Sequence, residues 1–246
     1  MKEKRYFYDG ELNINKIIKL EGDEFHHLTN VMRTRVGEDI CLFNGNGNFY
    51  FGVVLNIQKK FAEIEIKSIQ NSLNEPTINL TVYQALAKGD KLSLIMQKIT
   101  EIGATNLCLF ESKFTDVKAS NENNKFDRLK NITISAAKQC GRATLVKTNG
   151  IFNINQIAKE IINFDKFFIA YENSDNRTLV NELLNLNSND KNIAIMIGAE
   201  GGFADDEIKL LEKSGAIIVS LGKRILRTET ASIACTALIT QILENK

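Results

Sequence analysis

Short runs rich in β-branched and aromatic residues occupy the first third of the chain. They cover Asp39–Phe43, Phe49–Ile57 and Phe61–Ile66, and glycine, asparagine and lysine residues lie between them. Runs of this length with turn residues at their ends are typical of strands joined in hairpins. The pattern therefore predicts a small antiparallel barrel or sheet at the start of the chain.

One stretch with helical spacing, Asp23–Arg33, interrupts these runs. Apolar residues three and four positions apart lie on one face of a helix. Four residues are predicted to form this inner face: Phe25, Leu28, Val31 and Met32.

The pattern changes after Pro76, the only proline, which lies in a polar stretch. We therefore divide the chain into a first domain, residues 1–72, and a second, residues 73–246. Beyond the boundary, short apolar runs alternate with amphipathic stretches such as Lys91–Gly103, which predicts an α/β fold with a buried, mostly parallel sheet. The predicted strands are Leu80–Leu86, Leu107–Phe110, Phe167–Tyr171, Ile193–Ile197 and Ile217–Leu221.

Composition narrows the class of protein. The chain has 246 residues, 43% hydrophobic, and a formal net charge of +1, so it can bury a core and is neither disordered nor a uniformly basic arm. Charge is nevertheless segregated: residues 86–147 carry an excess of five basic side chains, and residues 150–219 an excess of five acidic ones. This asymmetry permits a local anion-binding face, although the same lysines and arginines could simply solvate helix surfaces.

Metal, disulfide and membrane sites are not expected. Adjacent side chains on a helix diverge, so His26 and His27 cannot hold one metal ion, and the four cysteines are too far apart in sequence to form a zinc motif. No apolar run is long enough to span a membrane, and the first residues lack the apolar region of a signal peptide. We therefore expect a cytoplasmic protein with reduced core thiols.

A glycine-rich segment, Ile197–Phe203 (IGAEGGF), follows one predicted strand and precedes the predicted helix Asp205–Lys213. Three glycines in five residues allow the backbone to approach a ligand closely, although a plain strand-to-helix turn is the alternative. A phosphate loop has a lysine after its glycines, and this segment has none. Glu200 would also repel phosphate. The segment therefore favours a nucleoside with a cationic group.

A second segment, Leu221–Ala231 (LGKRILRTETA), follows the next predicted strand. Thr228 or Thr230 is expected to cap the closing helix, which runs to Leu243. Ligands bind at the carboxyl ends of strands in open parallel sheets, so the two segments could form one pocket.

These two segments, with further motifs, resemble the RsmE family of SPOUT-class 16S rRNA (uridine-N3) methyltransferases over nearly the whole chain. The further motifs are His26–Leu28, Val31–Arg33, Lys88–Lys91, Gln97–Gly103 and Gln139–Arg142. The chain departs from the family pattern at Ala199, where proline is usual, and at Glu111–Asp116, which replaces a Ser-Glu-Arg-Ser run. The resemblance implies a small N-terminal PUA-like β-barrel and a SPOUT α/β domain with a C-terminal trefoil knot.

The resemblance also implies S-adenosylmethionine as cofactor, ribosomal RNA in the assembled small subunit as substrate, and a homodimer. The residues expected to bind the cofactor are Ile197, Gly198, Glu200, Gly201, Leu221, Gly222, Ile225, Leu226 and Thr230. Basic residues in the first domain and in the positively charged segment are expected to bind RNA; they are Arg33, Arg35, Lys88, Lys91 and Arg142.

Arg227 is the candidate catalytic residue. Uracil N3 is a poor nucleophile while it carries its proton, and a guanidinium that hydrogen-bonds a uracil carbonyl would stabilise the developing anion. The alternative is a buried arginine that pairs with Glu200 or Glu229 and stiffens the loop. Two other functions stay open: a non-catalytic RNA-binding ribosome assembly factor, and a SPOUT methyltransferase for tRNA or another rRNA site.

Overall fold

The computed structural model describes residues 4–115, 122–172 and 177–246. The chain divides into two compact units, one formed by residues 1–75 with 137–145 and the other by residues 76–136 with 146–246. The short segment 137–145 thus joins the first unit, whereas the sequence-based division assigns it to the second domain.

The first unit is built on a five-stranded sheet with the order β1-β3-β4-β5-β2. All neighbouring strands pair antiparallel except β1 and β3, which are parallel. The strands are β1 (Arg5–Phe7), β2 (Ile17–Glu21), β3 (Asp39–Phe43), β4 (Asn48–Ile57) and β5 (Phe61–Asn71). The three predicted runs correspond to β3, β4 and β5, and the two short strands β1 and β2 were missed.

The predicted helix of this unit is shorter than expected. Helix α1 (Gly22–His26) continues as one π-helical turn, His27–Val31, in which the N–H of Met32 donates to the carbonyl of His27. Leu28 is buried, but Val31 is 60% exposed, so its assignment to the inner face was wrong. The wider π turn rotates each residue by less than an α-helix does, which turns Val31 away from the core.

The second unit contains a six-stranded parallel sheet with the order β11-β9-β10-β6-β7-β8. Its strands are β6 (Asn79–Ala85), β7 (Asn106–Glu111), β8 (Lys147–Asn153), β9 (Lys166–Ala170), β10 (Asn192–Ile197) and β11 (Ile217–Val219). The five predicted strands agree with β6, β7, β9, β10 and β11 to within two residues. Strand β8 was missed because it lies at the sheet edge and buries none of its residues fully.

Helices cover both faces of this sheet. They are α2 (Lys91–Ile102), α3 (Glu122–Cys140), α4 (Ile154–Glu160), α5 (Leu179–Leu184), α6 (Asp205–Lys213) and α7 (Thr228–Glu244). Successive strand residues enter different cores: Ile195 packs in the core shared with α2 and α7, and Met196 in the core shared with α4 and α6. This burial on both faces explains why the strand sequences are continuously apolar.

The sequence predicts neither a membrane-spanning helix nor a metal site, and the described residues bear on both predictions. None of the helices there is long and apolar enough to cross a membrane, and no cluster of potential ligands there could hold a metal ion. Three of the four cysteines, Cys41, Cys108 and Cys235, lie in the core as expected, whereas Cys140 is only partly buried.

Candidate active site

A cleft of about 310 Å³ lies at the carboxyl ends of the neighbouring strands β11, β9 and β10. Three segments at the ends of these strands line it: residues 170–172, residues 197–200 with 202 and 203, and residues 220–228. The structure therefore brings the two glycine-containing segments of the sequence together, and adds a third. The cleft opens where the sheet topology leads one to expect a ligand.

The first glycine segment makes a tight turn at the cleft wall. The N–H of Gly202 donates to the carbonyl of Ala199 over 2.9 Å, and Gly202 has a φ of +68°, a conformation that glycine adopts without strain. A side chain at Gly198 would meet the ring of Phe203 at 3.0 Å. Both glycines line the cleft, together with Ile197.

Gly201 does not line the cleft, in contrast to its neighbours. A β-carbon built on Gly201 would lie 2.8 Å from the β-carbon of Phe114 and 3.1 Å from the Phe114 carbonyl oxygen. The absent side chain therefore makes room for the loop after β7. The reason expected from sequence, close approach of the cofactor, is not the one that this geometry gives.

The second segment supplies apolar and backbone surface. Leu221 and Leu226 are half-buried at the cleft, and Gly222 has a φ of +105°. Ile225 also borders the cleft but is 86% exposed. Thr230, expected at the cofactor, is exposed and lies outside the cleft lining, because it is two residues beyond Thr228 and points away on the helix.

Thr228 occupies the position that was expected for Thr230. It is buried, its hydroxyl donates to the carbonyl of Gly198 over 2.6 Å, and it accepts from the Gln84 amide over 2.9 Å. Gln84 is fully buried at the end of β6 and accepts a hydrogen bond from the Ser232 hydroxyl. This network fixes the first turn of α7 to the glycine segment and to β6.

The expected capping of α7 was wrong. Arg227 is the N-cap residue, with extended backbone angles, and no side-chain hydrogen bond caps the helix. The Thr228 hydroxyl hydrogen-bonds the Gly198 carbonyl and the Gln84 amide, so it does not cap the N–H groups at the helix end. Gln84 was missed, although a glutamine in an otherwise apolar strand was the signal available.

Arg227 lies at the cleft with an exposed side chain. The alternative role was a buried arginine paired with Glu200 or Glu229. Arg227 is not buried, and none of the ion pairs among the described residues joins it to either carboxylate. The cation near both carboxylates is Lys91, which forms an ion pair with Glu200 and lies 3.8 Å from the Glu229 Oε2.

Lys91 was expected to bind RNA, but its ammonium donates a hydrogen bond to the Glu200 carboxylate. The hydrogen bond from Lys91 holds the pKa of the Glu200 carboxyl below its ordinary value, against the opposing effect of burial. Glu200 lines the cleft, and its ion pair with Lys91 ties it to the start of α2.

Arg142, another expected RNA contact, was wrongly assigned. Its side chain is only 3% exposed, and it donates to Glu75 Oε2 over 3.2 Å and to the Thr144 hydroxyl over 3.0 Å. Burial would raise the pKa of Glu75, but hydrogen bonds from Thr144 and the N–H of Ala143, with the nearby Arg142 charge, hold it below its ordinary value. The pair stabilises the first unit, and the guanidinium is inaccessible to phosphate.

The remaining expected RNA contacts are accessible. Arg33, which has a φ of +49°, and Arg35 are exposed in the first unit. Lys88 is exposed in the second unit. All three side chains can reach solvent.

Glu172 is a cleft residue that sequence reasoning missed. It lies two residues after the end of β9 and is exposed; a β-carbon on Gly202 would lie 3.4 Å from its Oε1. The signal was its place after the predicted strand Phe167–Tyr171. A carboxylate there can accept hydroxyl hydrogen bonds or balance a ligand's positive charge.

Comparison with known families matches both parts of the chain. Residues 74–240 match the family described as "RNA methyltransferase domain", and residues 20–67 match "RNA methyltransferase PUA domain". The ribosomal RNA small subunit methyltransferase E of Buchnera aphidicola subsp. Acyrthosiphon pisum is 33% identical over 96% of this chain and 92% of its own length.

Two solved methyltransferase structures are similar to this chain over nearly its whole length. A putative methyltransferase from Legionella pneumophila, in complex with the bound cofactor SAM, has a TM-score of 0.87 and 28% identity, and covers 100% of this chain and 98% of its own. The ribosomal RNA small subunit methyltransferase E of Neisseria gonorrhoeae, bound to S-adenosyl methionine, has a TM-score of 0.86 and 29% identity, with 98% of each chain covered. The expected PUA-like and SPOUT α/β architecture is confirmed.

Proposed function

Because this chain belongs to the ribosomal RNA small subunit methyltransferase E family of RNA methyltransferases, we propose that it transfers a methyl group from S-adenosylmethionine to N3 of a uridine in 16S rRNA. The observation that carries the proposal is the cleft, in which both glycine segments meet beside the exposed Arg227. Family membership supplies the class of reaction, and the cleft supplies a site for it.

The cleft residues fit S-adenosylmethionine. Backbone groups of Gly198, Gly202 and Gly222 can hydrogen-bond the adenine and ribose, and Leu221 and Leu226 offer an apolar surface to the base. Glu172 offers a carboxylate to the ribose hydroxyls or to the cationic part of the molecule. This agrees with the sequence-based expectation of a nucleoside with a cationic group. When bound, the cofactor supplies an electrophilic methyl group on a sulfonium.

Arg227 would act on the uracil. Its exposed guanidinium can donate to a uracil carbonyl oxygen and stabilise the negative charge that develops when N3 loses its proton. The fixed position of the α7 start, through Thr228, Gly198 and Gln84, holds Arg227 at one place on the cleft. Such positioning lowers the entropic part of the barrier for an in-line transfer.

RNA binding would use Arg33 and Arg35 of the first unit and Lys88 of the second, all exposed. The match of residues 20–67 to a PUA domain of RNA methyltransferases supports this role for the first unit. On the family resemblance we also propose the assembled small subunit as substrate and a homodimer, and on the sequence pattern a cytoplasmic location.

A trefoil knot in residues 197–246 is also part of the proposal. The hydrogen bonds of Thr228 to Gly198 and Gln84 support it, because they require the start of α7 to pass beside the ends of β10 and β6. Strand β11 lies at the edge of the sheet with β9 and β10 between it and β6, so the chain must return past β9 and β10 after residue 219.

The test is methyl transfer with purified protein and labelled S-adenosylmethionine. Small ribosomal subunits, large subunits and tRNA, each from a strain without the corresponding methyltransferase, serve as acceptors. We expect label only in the small subunit, in a nucleoside that mass spectrometry identifies as 3-methyluridine. Label in tRNA or large subunits would favour a SPOUT methyltransferase for tRNA or another rRNA site. Binding of small subunits without any transfer would favour an assembly factor.

A further inference from the structure

Phe114 is an exposed aromatic residue beside the cofactor cleft. It follows β7, is 51% exposed, and packs its Cβ against Gly201, whose neighbours Glu200 and Gly202 both line the cleft. Nothing in the reaction described above uses this side chain.

The loop that carries Phe114 is held in place by hydrogen bonds. The N–H of Ser112 donates to the Thr115 hydroxyl over 2.9 Å, and the N–H of Lys113 donates to Glu207 Oε1 over 2.9 Å. The Lys113 ammonium also pairs with Asp206 at the start of α6. The ring is therefore presented from an ordered backbone, so binding a ligand costs little additional ordering.

The surroundings of Phe114 suit a nucleobase better than a protein partner. Its neighbours in the described part of the loop, Ser112, Lys113 and Thr115, are polar, so the ring is the one apolar side chain among residues 112–115. One exposed cation lies at the same glycine segment: Lys88 is close enough to act on the Glu200 carboxyl, whereas Lys91 and Lys113 are paired with Glu200 and Asp206. An aromatic face near positive charge is the combination that binds unpaired nucleotides.

We propose that Phe114 is a stacking platform for an unpaired base of the RNA substrate, next to the base that enters the cleft. The proposal rests on the function proposed above and specifies how the same site holds its RNA. A base beside the target would stack on the ring while Gly201 keeps the ring against the cleft wall. Stacking of this kind tolerates any base, since each has a π face.

The chain contains no tryptophan, which allows a direct test of stacking. Phe114→Trp places the only indole at the proposed platform, beyond the carboxyl end of β7. Ile162→Trp places it at a residue that is 86% exposed and precedes β9, at the amino ends of the strands. Titration with poly(U) at low salt should quench the fluorescence of Phe114→Trp and leave Ile162→Trp nearly unchanged. Equal quenching, or none, overturns the proposal.

The same variants separate RNA from a second copy of the chain. If the emission of Phe114→Trp shifts with protein concentration in the absence of RNA, another copy covers the ring, and the base platform is wrong. We expect a spectrum that is independent of protein concentration.

Steady-state kinetics on unmethylated small subunits tests the role in the reaction. Phe114→Leu keeps apolar cover on Gly201 but removes the π face, and we expect KM for the subunit to rise about tenfold, with the affinity for S-adenosylmethionine and the Tm unchanged. Phe114→Tyr should restore KM to within about twofold. A Leu variant with the wild-type KM contradicts the platform.

Failure of the two proposals can be told apart. If the wild-type protein methylates no uridine N3 but poly(U) still quenches Phe114→Trp alone, the proposed reaction fails and the base platform stands. If the wild-type protein is active and neither variant at Phe114 has an effect, the platform fails alone.

Discussion

Single side chains decide which charges near the cleft can meet a ligand. Arg227 is exposed at the cleft, Lys91 pairs with Glu200, and Arg142 is buried against Glu75. The positively charged segment identified Lys91 and Arg142 as candidate RNA contacts, and the place of Arg227 in the second glycine segment made it the candidate catalytic residue. The sequence could not rank them, because the ion-pair partners are 109 and 67 positions away in sequence.

At this scale the sharpest prediction concerns Arg227. Arg227→Ala should lower the single-turnover rate of methyl transfer by ~10²-fold or more, the scale observed when a preorganised donor to a developing anion is removed. Calorimetry should give an unchanged affinity for S-adenosylmethionine. Arg227→Lys should recover only part of the rate, since an ammonium lacks the planar pair of donors. An alanine variant with near-normal turnover would remove Arg227 from the chemistry.

Among the secondary-structure elements, burial determines what the sequence could predict. Strand β10 is apolar from Ile193 to Ile197 and was located to within one residue, whereas the edge strand β8 and the three-residue β1 carry too little pattern. The π turn after α1 was also invisible, because it changes only the angle between residues. The hydrogen bond of Gln84 to Thr228 spans 144 positions and needs the folded chain to exist.

The start of α7 yields the second prediction. Thr228→Val leaves the Gly198 carbonyl and the Gln84 amide without their buried partner, so we expect a loss of about 1–3 kcal/mol in unfolding free energy and a weaker affinity for S-adenosylmethionine. Thr230→Val is the matched control, since Thr230 is exposed. If the control weakens cofactor binding more than Thr228→Val does, the original expectation for Thr230 is correct and the structure-based one is wrong.

The contact of Glu75 with segment 142–144 gives a prediction on pH. Glu75→Gln removes the charge beside the buried Arg142 and should lower the unfolding free energy by up to about 3 kcal/mol at neutral pH, while the exposed Glu21→Gln should not. The folded-state pKa of Glu75 lies below its ordinary 4.5, so its contribution is complete above that pH and is lost as the pH falls through the folded-state value. Chemical denaturation between pH 7 and 3 should show the wild type and Glu75→Gln converging. A constant difference would contradict the assignment.

For the whole molecule, the segregation of charge matters more than the net charge of +1. Arg35→Gln should weaken RNA binding and reduce the slope of log affinity against log salt by about 0.7–0.9, the value for one lost phosphate contact. Lys59→Gln removes the same charge from another exposed position of the first unit and should lower the affinity less. Identical slopes for the two variants and the wild type would exclude Arg35 from the RNA-binding surface.

We expect this protein to methylate N3 of a uridine in 16S rRNA. Mass spectrometry of nucleosides from cellular 16S rRNA measures that modification directly. The host is a strain whose own uridine-N3 methyltransferase gene is deleted, with and without this chain expressed. We predict that 3-methyluridine is absent from the deleted strain and returns when the chain is present. If 3-methyluridine stays absent while the folded protein accumulates in the cells, the claim is contradicted.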